Sequence, residues 1–229
     1  MEYLKKTDFD SSVLPDILRV TTMSITFKTG TNIFVDEVKQ VYPNQKRSFY
    51  NSVSWKVPID TNATREVHFK LFKNGTIQGA GFKTLNDINY AISHIINKLS
   101  EIVYIKVDDH IKEIKFTQNN ILVSEVEIIL INANFSFPFL IRRDIFFNLL
   151  LQDGITCFFD SCKHAAIKIH FNVRDKIKPI KIFVFQSGSV NIFGSKNHKH
   201  ILGAYIFIKE FVDKHFNAIK AVKINLISI

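Results

Sequence analysis

Apolar residues recur along this chain in two rhythms, and the rhythms alternate in the same order twice. From Ile17 to Phe27 an apolar, β-branched run predicts a strand. In NIFVDEVKQVY, Phe34, Val38 and Val41 fall at helical spacing. SFYNSVSWKV predicts a second strand and PIDTNATRE a polar turn. VHFKLF and TIQGAGF read as two strands joined at Lys73-Asn74-Gly75, where Asn-Gly is a strong tight-turn signal. Leu85, Ile88, Ile92, Ile95 and Leu99 then form one apolar stripe, which predicts a helix over 85–100. Thr84 and Asp87 have the spacing of a capping box at its start.

The order then returns. Val123 to Phe137 is strand-like, Ile141 to Leu151 an apolar helix, and Ala165 to Val173 a strand. RDKIKP is a polar turn, and IKIFVF with SVNIFG make a hairpin around Ser187-Gly188. Asn197 is a good N-cap for a helix carrying Ile201, Ala204, Tyr205, Ile208 and Val212. Between the halves, IVYIKV and IKEIKF predict one extra hairpin around Asp108-Asp109-His110. The expected organisation is an arm (1–15), a first repeat (16–100), a connector (101–120), a second repeat (121–217) and a tail (218–229). Within the tail, Val222 to Ile229 alternates as a final strand would.

The repetition reaches single residues. FKNGTIQGAGFK returns as FQSGSVNIFGSK, with Phe72, Gly75, Gly81 and Lys83 recurring 113 positions on as Phe185, Gly188, Gly194 and Lys196. Gln78 and Asn191 are a conservative pair at the same spacing. Further forward the offset is 108: Phe27 pairs with Phe135 and Asp36 with Asp144. A repeat of this length fixes architecture before any one residue is interpreted. Each half reads strand, helix, antiparallel strands, long helix. That is an α+β fold in which helices cover one face of a sheet and leave the other open.

Composition adds the electrostatics. A hydrophobic fraction of 46% supports a sizeable core. No apolar run approaches the roughly 18 to 20 residues that span a bilayer, and MEYLKKTDFD has no signal core, so an intracellular protein without a membrane is expected. Cys157 and Cys162 make no disulfide framework and, with His164, no recognisable zinc pattern, so idle thiols are expected. The net charge of +9 favours a polyanion, nucleic acid first. Its carriers are mostly lysine, with only six arginines, which suits phosphate contact better than bidentate base reading. A genome rich in A and T also raises Lys, Asn, Ile and Phe together. No Walker loop, catalytic triad, paired catalytic carboxylates or dinucleotide fingerprint occurs. Neither enzyme activity, cofactor nor small-molecule substrate is expected. His198 and His200 find no third ligand and read as a solvated helix start.

The hairpin-helix unit resembles the repeat of the TATA-box-binding protein (TBP) family. There each half carries an Ile-Phe strand end, an x-Ser-Gly turn, a strand ending Thr-Gly-Ala-Lys, and a long helix. FVFQSGSVNIFGSK is the closer copy and LFKNGTIQGAGFK the looser one. The Lys-, Asn- and Phe-rich composition is similar to that of divergent TBP-like proteins of large DNA viruses. The resemblance implies a saddle-shaped antiparallel sheet with helices on its convex side, and a concave face that binds and bends double-stranded DNA in the minor groove. It implies wedge roles for Phe72 and Phe185, and phosphate contacts for Lys83 and Lys196. Second wedges fall at Phe49 or Tyr50 and at Phe158 or Phe159.

Strand alternation places Lys70 and His68 on the face of Phe72, with Thr76, Gln78 and Ala80 beside them. In the second half it places Lys181, Phe183 and Phe185 with Ser189, Asn191 and Phe193. Each site residue also has a plainer reading. Phe72 and Phe185 suit a core, and Gln78 and Asn191 suit a solvated strand. Ala80 and Phe193 stand where the family has threonine, and the family's paired asparagines have no clear match near Arg19 to Thr22 or Ile128 to Asn132. The expectation is a TBP-like, viral transcription initiation factor that recruits transcription factors or RNA polymerase subunits, with the loops 60–66 and 174–178 as partner contacts. It would act in a host nucleus or a cytoplasmic viral factory, and packaging in the virion is compatible with it. The alternative is an interaction scaffold on the same fold that has lost DNA bending.

Overall fold

The computed structural model describes residues 3–4, 9–42, 50–59, 65–174 and 178–221. The chain forms two compact units, one of residues 1–9 and 22–129 and the other of residues 10–21 and 130–229. Among the described residues, no helix is long and apolar enough to cross a membrane.

The first unit is built from β1 (Arg19–Lys28, from residue 22), α1 (Val35–Val41), β2 (Ser52–Pro58), β3 (Glu66–Phe72), β4 (Thr76–Phe82) and α2 (Leu85–Ser100). Its antiparallel strands run in the order β2-β3-β4-β1. Alternation along β3 is strict. Val67, Phe69 and Leu71 are buried while His68, Lys70 and Phe72 are not. The buried side faces the stripe Ile88, Ala91, Ile92, Ile95 and Leu99 of α2, Leu85 being only half-buried. Full burial of one such side chain contributes about 1.5–3 kcal/mol, so this stripe holds the helix to the sheet. The extra hairpin, β5 (Ile102–Val107) and β6 (His110–Lys115), pairs only with itself among the described strands.

The second unit repeats the plan with β7 (Ser124–Ser136, from residue 130), α3 (Arg143–Gln152), β8 (Cys157–Phe158), β9 (Ala166–Phe171), β10 (Ile180–Phe185), β11 (Ser189–Ser195), α4 (His198–Lys214) and α5 (Phe216–Ile219). Its strand order is β7-β11-β10-β9-β8. The two short elements β8 and α5 carry too few residues for a periodic signal. Ile141, read as the first residue of a helix, instead donates its N–H to Gln186 O and bridges Lys220, so α3 begins two residues later.

The pairing register reproduces both sequence offsets. Lys28 lies opposite Thr76, Thr26 opposite Gln78 and Met23 opposite Phe82. Ser136 lies opposite Ser189, Asn134 opposite Asn191 and Ile131 opposite Ser195. First-strand partners are thus 108 apart and hairpin partners 113 apart. The change in length between the two falls between α3 and β9, the stretch that holds β8.

Candidate nucleic-acid interface

The twin glycines act as turn and bulge. Gly75 and Gly188 sit at φ +80° and +87°, closing the β3–β4 and β10–β11 hairpins with N–H bonds to Phe72 O and Phe185 O. A Cβ at Gly188 would lie 2.5 Å from the carbonyl oxygens of both Phe137 and Phe139, so glycine is required for space as well as for conformation. Gly81 and Gly194, at φ +103° and +84°, mark bulges where the register shifts in both units. The bulge reverses the alternation. Phe82 and Ser195 turn inward, and Lys83 and Lys196, next along, turn to the open side, where both are exposed.

The helix caps then fix those two lysines. Lys83 N–H donates to Asp87 Oδ2 at 2.9 Å, and Thr84 and Asp87 complete a reciprocal capping box. In the second unit His200 stands 113 positions after Asp87, and its Nδ1 accepts from Lys196 N–H at 3.2 Å. His200 is therefore a buried cap partner, 5% exposed, rather than part of a solvated helix start. Asn197 Oδ1 accepts from His200 N–H at 2.9 Å, which is the N-cap expected at this position.

The open side of the first unit brings together the residues that alternation assigns to it. Lys70 lies opposite Gln78, and His68 opposite Ala80. Gln78 and Ala80 are exposed, while Lys70, Phe72 and Thr76 are partly exposed. Phe72 is thus outside the core, which Phe69 fills by edge contacts to Phe27 and Phe82 at 6.4 and 5.8 Å. Its cross-strand partner is the small, buried Ser52, and Lys70 Nζ lies 5.1 Å from its ring. Tyr50, 88% exposed just before β2, is the second aromatic at this end, with Lys73 Nζ 4.8 Å from its ring. Phe49 lies outside the described residues.

The second unit's open side is more aromatic. Phe185, opposite the buried Ala166, and Phe183, opposite Lys168, are both partly exposed. Phe183 meets Phe193 at 5.1 Å, and Lys181 lies opposite Phe193. Asn191 lies opposite Phe183 on one side and Asn134 on the other. Phe158 is 58% exposed on the edge strand, and its ring lies 5.3 Å from that of His170, tilted at 56°. Phe159 packs instead on Phe147 and Arg143, so of the two candidates Phe158 is the more exposed ring.

Four residues on this side escaped the sequence reading: Asn134, His164, Lys168 and His170. Period-two alternation in β7 and β9 carries three of them, whereas His164 lies in a loop, held by Ala166 N–H donating to its Nδ1 at 3.0 Å. Asn132 also faces this side, but its Oδ1 accepts the bulge N–H of Gly194 at 3.1 Å. No acidic side chain occurs on the open side of β8–β11 and residues 132–136 among the described residues. No group of three or more His, Cys, Asp or Glu among them could hold a metal ion. Cys157 is buried, which pushes its thiol pKa up, and Cys162 is exposed.

A strand-helix-strands-helix unit built twice, each copy with one face covered and one open, defines the TBP class of fold. The solved structure of Methanococcus jannaschii TBP matches 86% of this chain and 98% of its own, with a TM-score of 0.61 at 18% identity. A "TATA-box-binding protein-like" chain of Acanthamoeba polyphaga mimivirus is 30% identical over 206 residues, 83% of this chain. The chain spans 55% of that relative's length. No family model matches. In sequence the chain is similar to that TBP-like relative, and in fold to TBP.

Proposed function

We propose that the chain is a transcription initiation factor that binds promoter DNA through the open sheet faces of its two units. The observation that supports this best is the twofold placement of Phe72 with Lys83 and Phe185 with Lys196. In each unit a partly exposed ring at a strand end and an exposed lysine one bulge later share a face. The rings enter the minor groove as wedges between base steps, and the energy of unstacking is offset by the wider contact that bent DNA permits. Lys70 in the first unit and Lys181 in the second add phosphate contacts, which makes binding salt-dependent. Gln78 and Asn191 reach base edges with amides, and the faces of Phe183 and Phe193 close on the same strand.

The helices and end loops recruit transcription factors or polymerase subunits. The loops 60–66 and 174–178 carry part of that role; residues 60–64 and 175–177 lie outside the described residues. The reading extends to a viral factor acting in the host nucleus or a cytoplasmic viral factory, and to a protein that is no enzyme.

A second reading is an interaction scaffold that keeps the fold without bending DNA. Ala80 and Phe193, where the family carries threonine, favour it. A gel-shift with circularly permuted AT-rich duplexes separates the two. A bent complex, weakened by salt, is expected. Binding no tighter than to random duplex, with no bend, would leave the scaffold.

A further inference from the structure

We propose that the open side of the second unit is also a stacking platform for single-stranded DNA. Among the described residues, its Phe183–Phe193 ring pair has no counterpart in the first unit. The positions 113 residues before Phe183 and Phe193 are Lys70 and Ala80. Phe183 and Phe193 meet edge to face, 5.1 Å apart at 69°. His164 lies 5.4 Å from Phe183 and 6.3 Å from Phe185, and Phe158 and His170 form a further pair at 5.3 Å. Rings therefore run across β11, β10, β9 and β8.

Position separates these rings from wedges. A wedge must project at a strand end to enter between base steps. Phe183 and Phe193 sit within the paired part of the hairpin, opposite Asn191 and Lys181. A duplex keeps its base faces covered by one another, whereas an unpaired strand can lay them on a ring. Such stacking tolerates any sequence, because every base has a π-face. The backbone needs cations nearby. Lys168 Nζ lies 5.6 Å from the Phe183 ring, Lys181 and Lys196 are exposed, and no carboxylate faces them among the described residues. Asn191, between the rings and Asn134, supplies donors and an acceptor for the Watson–Crick edge that only an unpaired base exposes. The choice of DNA rests on the promoter reading above, since a promoter must open before it is transcribed.

The test is fluorescence anisotropy of the full chain with three labelled probes: a thymidylate oligomer of about twelve nucleotides, an abasic oligomer of equal length, and an AT-rich duplex. Thymidylate is expected to bind at least about ten-fold tighter than the abasic strand, since each stacked base contributes that order of affinity. Phe183→Leu with Phe193→Leu keeps apolar bulk, and so an unchanged circular-dichroism spectrum, but brings thymidylate down to the abasic value. Ultraviolet cross-linking of thymidylate should map to residues 180–195. Equal affinity for thymidylate and abasic strands, or an unaffected leucine variant, overturns the proposal. Tighter binding of uridylate RNA overturns its assignment to DNA. A bent duplex without single-strand binding sinks this inference alone; single-strand binding without a bent duplex sinks the promoter reading alone.

Discussion

Gly188→Ala tests whether the hairpin that carries Phe185 depends on a single residue, and Gly154→Ala is its control. Both positions have positive φ, +87° and +71°. A Cβ at Gly154 meets nothing within 4 Å, so only left-handed strain is added there. That strain is about 1–2 kcal/mol, reduced by the smaller unfolded-state entropy of alanine to a net of roughly 1 kcal/mol. At Gly188 the same strain is joined by contacts of 2.5 Å to the carbonyl oxygens of Phe137 and Phe139. Neither is the end of a flexible side chain. Phe137 N–H donates to Gly188 O at 2.9 Å and Gly188 N–H to Phe185 O at 3.0 Å, so relief requires the hairpin to move. Backbone displacement of this kind adds about 1–3 kcal/mol, for a total near 3 kcal/mol. Urea unfolding followed by far-ultraviolet circular dichroism reads both values. Equal losses in the two variants, or a larger loss at Gly154, would refute the steric account of the repeated turn.

Three further outcomes follow from the geometry. Lys83→Gln and Lys196→Gln should each lower the slope of log K against log salt by about 0.9 for an AT-rich duplex, as for one phosphate contact; an unchanged slope removes that lysine from the interface. The Lys73 ammonium, hydrogen-bonded to Asp36, and then Lys39 hold the Asp36 carboxyl below its ordinary 3.8. A folded-state pKa below the unfolded one makes the contribution complete above the ordinary value and lost as pH falls through the folded value. The small stability gap between the parent and Asp36→Asn should therefore be full above the ordinary carboxylate value and narrow as pH falls below it in acid titration of unfolding, the pair being exposed and weak; a gap that does not narrow contradicts the pairing. Cys162 should react with a thiol reagent at pH 8 well before Cys157, a residue only 7% exposed whose thiol pKa is raised by burial; simultaneous labelling contradicts the packing of β8.

Much of the fold was legible because the two halves state it twice with different noise. The helix over Leu85–Ser100 has the bounds that its stripe and capping box announce. The offsets of 108 and 113 are the pairing registers themselves. Short elements were not legible: Cys157–Phe158 and Phe216–Ile219 hold too few residues for any period to show. His200 was misread because its role depends on a backbone N–H four residues upstream, which no periodicity reports. At the candidate site, alternation put Lys70, Phe72, Gln78, Phe183, Phe185, Asn191 and Phe193 on the uncovered side, where the structure has them. Alternation does not give the spatial neighbours of a loop residue, so His164 against Phe183 and Phe185 could emerge only from the fold.

The proposed bending of DNA rests on two partly exposed rings at strand ends, Phe72 and Phe185. Energy transfer between dyes at the two ends of an AT-rich duplex reports bending directly, in the parent and in Phe72→Ala with Phe185→Ala. The parent should shorten the end-to-end distance, and the double variant should bind with the duplex left nearly straight. An equal shortening in both, or none in the parent at saturating protein, would contradict the claim.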